Sequence, residues 1–431
     1  MKDPIFFRHP RPLSLEAAKY WKDLLYRTIK IGTEIEVAPP RLVARPDFEA
    51  EIREALQPSG SVERIGANGV LDVIPEHAGI EIRVIGRQPY FSVLHKQYKT
   101  ITTLLLDKGA RPRATCGLHF HLLTPTLAEA VPEIILANLW NLTRRYAPEL
   151  RFITSAGSSR EALCRRRNYC SHLEMVRHSP GTMRMQEIYT LLKESRIVPE
   201  HQNFLNLQHL GFDEQGDVLP FHLEFRFPDA DLCALSITAK TFLFLAMTLK
   251  AVDMSQYGVI HVGKITEWRR KVALLDMLSN NDGNLATSDT RAVTDEIIEE
   301  LRVGARELLD LLAPIFERFD EQAPLDVLLV LAETPISLLR CAGYDWCDIE
   351  AYLAQRIRTD RQSAFDPLDQ RLMQHIDLGT WTGLPSLEAW QWHAAHELFL
   401  TPQELEHRLE RLRALRGLRW DVRQGTLVFT S

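Results

Sequence analysis

Several features that assign a protein quickly are missing from this 431-residue chain. No cysteine pair has CxxC spacing. The six cysteines, Cys116, Cys164, Cys170, Cys233, Cys341 and Cys347, lie scattered, so neither a zinc knuckle nor a disulfide framework is indicated. A reducing, cytoplasmic setting is the expectation. A basic excess is also missing: 51 Lys and Arg against 57 Asp and Glu leave a formal charge of −6. Such a chain cannot grip a polyphosphate duplex by counterion release, and no nucleic-acid partner is expected. The longest apolar run, around Thr241 to Leu249, is too short to span a bilayer, so it is expected to be a buried helix with no membrane role. The opening MKDPIFFRHPRP puts an acid, prolines and a histidine where a signal peptide needs an unbroken apolar stretch. Neither a P-loop nor GxGxxG occurs, so a nucleotide would need another scaffold. Internal repeats and low-complexity tracts are absent as well.

What is present suffices for a folded core, since 45% hydrophobic and 25% charged residues are near the globular average. From about Lys30 to Phe227, short β-like runs alternate with loops and a few helices. From about Ala230 the 3.6-residue pattern dominates, as with Val293, Ile297, Leu301, Leu308 and Leu312. The turn-rich SNNDGNLATSDT at 279–290 is the natural linker, giving two expected domains, 1–280 and 290–431. The second is expected to be helical and to end in a helix opened by a Thr401–Glu404 capping box, then a hairpin turning at Gln424 and Gly425. A helix followed by a small wing could recognise a protein partner or mediate self-association; it could equally be a packing subdomain.

Four β-like runs carry most of the information, because residues i and i+2 share a face of a strand. In IGTEIEV, Ile31, Thr33, Ile35 and Val37 oppose Glu34 and Glu36. In GIEIRV, Ile80, Ile82 and Val84 oppose Glu81 and Arg83. In CGLHFHL, Cys116, Leu118, Phe120 and Leu122 oppose His119 and His121 behind Gly117. In PFHLEFRFP, Phe221, Leu223, Phe225 and Phe227 oppose His222, Glu224 and Arg226.

A half-solvated antiparallel sheet explains any one such strand, but its outer face normally mixes Thr, Ser, Lys and Gln. These four polar faces hold only carboxylates, imidazoles and arginines. Clustered glutamates repel unless cations compensate them, and carboxylates with an occasional imidazole suit Mg2+ or Mn2+, which usually bridge to substrate phosphates. Arg226, on the same face as Glu224, could contact such a phosphoryl group. Other metal layouts fit less well. A cupin wants a carboxylate shortly after HxH, where Pro125 and Thr126 stand, and an amidohydrolase barrel would open the chain with HxH.

The runs GTEIE, GIE, CGLHFH, RRRNYC and EFRFPD, in that order, resemble the amidoligase family. These are carboxylate-amine ligases of the glutamine synthetase and glutamate-cysteine ligase fold. The likeness covers about Lys30 to Val252. It implies an α+β fold with a curved, mainly antiparallel sheet of the glutamine synthetase catalytic type and flanking helices, here extended by the helical C-terminal part. It further implies that Glu34, Glu36, Glu81 and Glu224, with His119, ligate two or more divalent ions, and that His121 lies near the phosphates of ATP. Arg226 would stabilise the transferring phosphoryl group, with Arg167 and Glu81 also at the reacting groups. Arg160 and Asn206 match nucleotide-side positions, while Asn168 and Tyr169 complete the arginine-rich motif. For Arg165 to Arg167, a solvated, ion-paired helix turn stands as an equal alternative to a phosphate contact.

The implied reaction is ATP-dependent amide formation through an acyl phosphate, joining an amino-acid or peptide carboxylate to an amine. A different reading is a non-catalytic or hydrolytic relative that binds metal or nucleotide and acts through its helical C-terminal part. The sequence departs from the family after GIE, where a Ser or Thr is common and Arg83 and Val84 stand here, and in the C-terminal half, which has no counterpart.

Overall fold

The computed structural model describes residues 6–8, 11–57, 69–76, 79–86, 91–113, 116–157, 185–186, 189–190, 205–207, 209–257, 259–261, 288–319, 321–359, 367–416 and 418–429. β1 (Phe6–Arg8) precedes α1 (Leu15–Thr28). The N-cap Ser14 of α1 accepts a hydrogen bond from Ala17 N, and Ala18, Trp21 and Leu25 form its buried stripe. Next come β2 (Lys30–Val37), α2 (Arg45–Leu56), β3 (Gly69–Glu76), β4 (Gly79–Gly86), α3 (Phe91–Asp107) and β5 (Leu118–Leu123). They are followed by α4 (Glu133–Arg145), α5 (Ala147–Thr154), β6 (Leu205–Asn206), β7 (His222–Phe225), α6 (Ala234–Met254) and β8 (Val259–His261).

Six strands form one sheet in the order β3-β4-β2-β5-β7-β6, and every neighbouring pair is antiparallel. β1 pairs separately with β8. The α+β class with an antiparallel sheet and flanking helices is therefore as expected. One face of the sheet is the core side: Ile31, Ile35, Ile82, Phe120, Leu223 and Phe225 are all buried. Phe244 of α6 anchors that side, with ring centroids 5.1 Å from Phe120, 4.2 Å from Phe225 and 5.6 Å from Phe227. On β2, Thr33 Oγ1 lies 2.6 Å from the hydroxyl of Tyr98 in α3, so the one polar core-face residue there is satisfied.

α6 contains the long apolar run. By length and composition it could cross a membrane, yet all of it is buried inside the protein, as befits a core helix that is apolar all round. Its buried charges are paired. Lys240 Nζ donates to Asp231 at 2.6 Å, and Lys250 Nζ donates to both oxygens of Glu404 at 2.8 and 2.6 Å.

The second half is helical as expected. α7 (Ser288–Arg318), α8 (Gln322–Glu333), α9 (Ile336–Cys341), α10 (Trp346–Thr359), α11 (Pro367–Asp377), α12 (Leu387–Leu398) and α13 (Pro402–Arg416) precede a hairpin of β9 (Leu418–Asp421) and β10 (Thr426–Phe429). The capping box is present: Thr401 N donates to Glu404 Oε2 at 2.7 Å, and Glu404 N donates to Thr401 Oγ1 at 3.2 Å. The hairpin turn includes Gly425, whose φ of 57° favours glycine.

Residues 279–287 of the expected linker lie outside the described residues. Elsewhere the hydrophobic core runs on from the sheet into these helices, with α8 and α10 against α6 and α7 against α5. Glu350 of α10 reaches the start of α6, accepting from Cys233 Sγ at 3.0 Å and Leu235 N at 3.2 Å, and lies 3.1 Å from His95 Nε2.

Candidate functional site

The face of the sheet opposite the core collects the acids and imidazoles. Antiparallel register sets them in rows: Arg83, Glu34 and His119 across β4, β2 and β5; Glu81 beside Glu36; and Gly32, His121, Glu224 and Asn206 across β2, β5, β7 and β6. Side chains directly opposite on adjacent strands sit ~5 Å apart at Cβ, so the rows force contact. His119 Nδ1 is 2.9 Å from Glu34 Oε2 and 3.5 Å from Glu224 Oε1, while its Nε2 is 3.6 Å from Glu36 Oε1. His121 Nε2 is 3.4 Å from Glu34 Oε1 and 4.0 Å from Glu224 Oε1. Glu36, Glu81, His119 and Glu224 are buried.

Glycines permit this approach. Gly32 faces His121, whose Cβ would be 3.1 Å from a Cβ at that position, and a Cβ on Gly79 would collide with the Val37 carbonyl. Gly117 has a different role from the space-making one expected for glycine beside phosphate: its N–H donates to Glu36 Oε2 at 2.5 Å.

Two arginines offset part of the negative charge. Arg83 Nε donates to Glu81 Oε1 at 2.6 Å and lies 3.6 Å from Glu34 Oε1, and Arg226 pairs with Glu224. Burial pushes the Glu34 carboxyl up, but the imidazoles of His119 and His121 more than reverse this and hold it well below the usual carboxylate range. Glu81 moves the other way, raised first by burial and then by the charge of Glu34, against the pull of Arg83. Burial, with His121 and His209 adding to it, pushes His222 down to about 4.

The five residues expected to hold metal, Glu34, Glu36, Glu81, His119 and Glu224, thus converge, as do His121 and Arg226. Asn206 joins them through Glu224, whose Oε2 accepts from its Nδ2 at 2.7 Å. Arg160, Arg167, Asn168 and Tyr169 lie outside the described residues. Two further residues belong to the face. His222 Nε2 is 3.0 Å from His121 Nδ1, and Arg83 bridges two acids. Strand alternation already puts both on this side, but only the register shows what they touch.

The donor chemistry fits a divalent ion. Ligand atoms of Glu34, His119 and Glu224 lie within 4.8 Å of one another, as do those of Glu36, Glu81 and His119. His121 Nε2 is buried with no hydrogen-bond partner, its approach to Glu34 being close but not aligned. A cation satisfies such an atom, and oxygen donors with single imidazoles suit Mg2+ or Mn2+.

Fold and site together define an α+β protein whose antiparallel sheet presents a metal-competent acid and imidazole face. Among solved structures the chain is similar to the ligase PafA, solved in complex with the prokaryotic ubiquitin-like protein Pup. That match covers 92% of this chain and 85% of that chain, at a TM-score of 0.36 and 13% identity, and at that level it carries no weight for the reaction. No family profile and no curated protein matches the sequence.

Proposed function

We propose that the protein is an ATP- and divalent-metal-dependent carboxylate-amine ligase acting on an amino acid or peptide in the cytoplasm. The observation that carries this reading is the convergence of four glutamates and two histidines from four adjacent strands on one face, with only two arginines against them among the described residues. A packing surface has no use for that much like charge, and the fit to divalent ions is the compensation it calls for.

Divalent ions at such a face neutralise charge on phosphate oxygens, the main demand of phosphoryl transfer. The chain's own residues do the rest. Arg226, fixed by Glu224 at the end of β7, stands ready to stabilise a phosphoryl group without reorganising. Arg83 is half exposed beside Glu81, on the strand where the amidoligase pattern differs, and supports the substrate side. In the reaction a substrate carboxylate takes the γ-phosphoryl group of ATP, and an amine then displaces phosphate to leave an amide. Glu36 and His119, buried under this surface, are held by Gly117 N and Glu34.

The test is amine-dependent release of ADP and phosphate by the purified chain given ATP, Mg2+ or Mn2+ and pools of amino acids or peptides. Glu34→Gln should lower the rate by roughly 10²- to 10³-fold. Failure of the wild type to release ADP with any pool, or an unchanged rate in Glu34→Gln, overturns the proposal.

A further inference from the structure

His119 turns its two ring nitrogens toward two different pairs of carboxylates, and one imidazole serves one cation. Its Nδ1 lies 2.9 Å from Glu34 Oε2, and an ionised carboxylate only accepts, so Nδ1 carries the proton. The lone pair is then on Nε2, which faces Glu36 Oε1 at 3.6 Å and, with Glu81, completes one set of donors. Glu34 and Glu224 are left needing an imidazole of their own.

His121 supplies one. Its Nε2, buried and without a hydrogen-bond partner, is 3.4 Å from Glu34 Oε1 and 4.0 Å from Glu224 Oε1. Its Nδ1 is 3.0 Å from His222 Nε2, and two imidazole nitrogens at that distance share one proton. If the proton sits on His222, His121 Nε2–H is a buried donor with no aligned acceptor. If it sits on His121 Nδ1, Nε2 presents a bare lone pair toward two carboxylates, which a cation among them would satisfy. Metal-bound histidines regularly donate their other N–H in this way, and that bond fixes tautomer and ring orientation. The His222 ring is itself steadied by stacking on His209, with centroids 4.5 Å apart and planes 17° from parallel.

We propose that the face has two divalent-cation subsites of like composition, one of Glu36, Glu81 and His119 and one of Glu34, Glu224 and His121. His222 is the positioning residue that presents His121 Nε2 to the second. This moves His121 from the phosphate side to the metal. It rests on the metal-binding part of the proposed function and not on the ligation chemistry.

The experiment is a titration of the full chain with Mn2+ alone, read by calorimetry for stoichiometry and by electron spin-echo spectroscopy for nitrogen coupling. The variants are His121→Ala, His222→Phe and His222→Gln, each checked for folding by thermal melting. The wild type should bind two Mn2+, both with imidazole coupling, and His121→Ala should bind one. His222→Phe should weaken the second ion by roughly 10- to 100-fold and leave the first unchanged. His222→Gln, whose amide oxygen can accept from His121 Nδ1–H, should restore most of the loss. Fewer than two ions in the wild type, or two of unchanged affinity in His121→Ala or His222→Phe, overturns the proposal. The His222 variants change a half-buried ring and keep the test open should His121→Ala not fold. Two bound Mn2+ without ATP turnover would sink the ligase reading and leave this one standing; ATP turnover with an unaffected His121→Ala titration would do the reverse.

Discussion

Along α6 each buried charge has an opposite partner: Lys240 has Asp231, Lys250 has Glu404, and Asp253 has Lys22. On the acid face of the sheet, Glu34 contacts His119, His121 and Arg83, and the carboxylates of Glu36, Glu81 and Glu224 crowd the same space. Both regions are buried, and burial penalises charge in both. What differs is whether the protein supplies the compensation itself. Matched pairs specify how the helix packs. Crowded like charges mark a place where something else must arrive, and perturbed carboxyls cluster at such places.

The largest way to break this contrast is Asp231→Ala, which strands the ammonium of Lys240 in the core. It should cost roughly 3–5 kcal/mol in denaturant unfolding and leave Mn2+ affinity of the folded chain unchanged. A buried histidine offers an intermediate case. Burial first, with His393 adding to it, pushes His396 down to about 4, against a hydrogen bond to the Trp392 carbonyl. Its folded pKa lies below the unfolded value near ~6.5, so the unfolded chain gains the proton first as pH falls. Stability is therefore complete above about pH 6.5 and declines toward pH 4, by about 3 kcal/mol in total for this group. Unfolding at stepped pH should show that slope in the wild type and a shallower one in His396→Phe.

Smaller effects sharpen the contrast further. Thr401→Ala removes one arm of the capping box while leaving Lys250 its carboxylate, so it should cost about 1 kcal/mol in thermal or denaturant unfolding. Glu36→Gln removes one of the crowded charges. In metal-free buffer its melting temperature should equal or slightly exceed the wild type, while the stabilisation that Mn2+ gives the wild type is lost. A Glu36→Gln chain as destabilised as Asp231→Ala would erase the distinction between the two regions.

Much of the sheet was legible because alternation is a local signal. Ile31, Glu34, Ile80 and His119 each declare a face without knowledge of their neighbours. Which strands lie side by side is not local, and β2 sits between β4 and β5 although β3 and β4 intervene in sequence. The pairing of Glu34 with His119, and of His121 with His222, therefore became visible only with the register. The same holds for the helical half. The Thr401 and Glu404 cap could be read from spacing, but the second task of Glu404, neutralising Lys250, spans more than a hundred residues of chain, and so does the reach of Glu350 to Cys233. Motif glycines fall between these cases. Their positions were clear, while the reasons, Val37 behind Gly79 and His121 opposite Gly32, are matters of contact.

The two lysines of α6 make it a keyed shaft. Lys240 and Lys250 engage different partners about 15 Å apart along the axis, one in the loop before the helix and one in the C-terminal helix α13. Rotating or sliding α6 by a single residue would pull both keys from their slots and leave ammonium groups bare in the core. The C-terminal helices are thereby indexed to the sheet at fixed phase, so displacement of one against the other is a tilt about the shaft and not travel along it. Between the two keys sits Phe244, stacked on Phe225, the residue that separates Glu224 from Arg226.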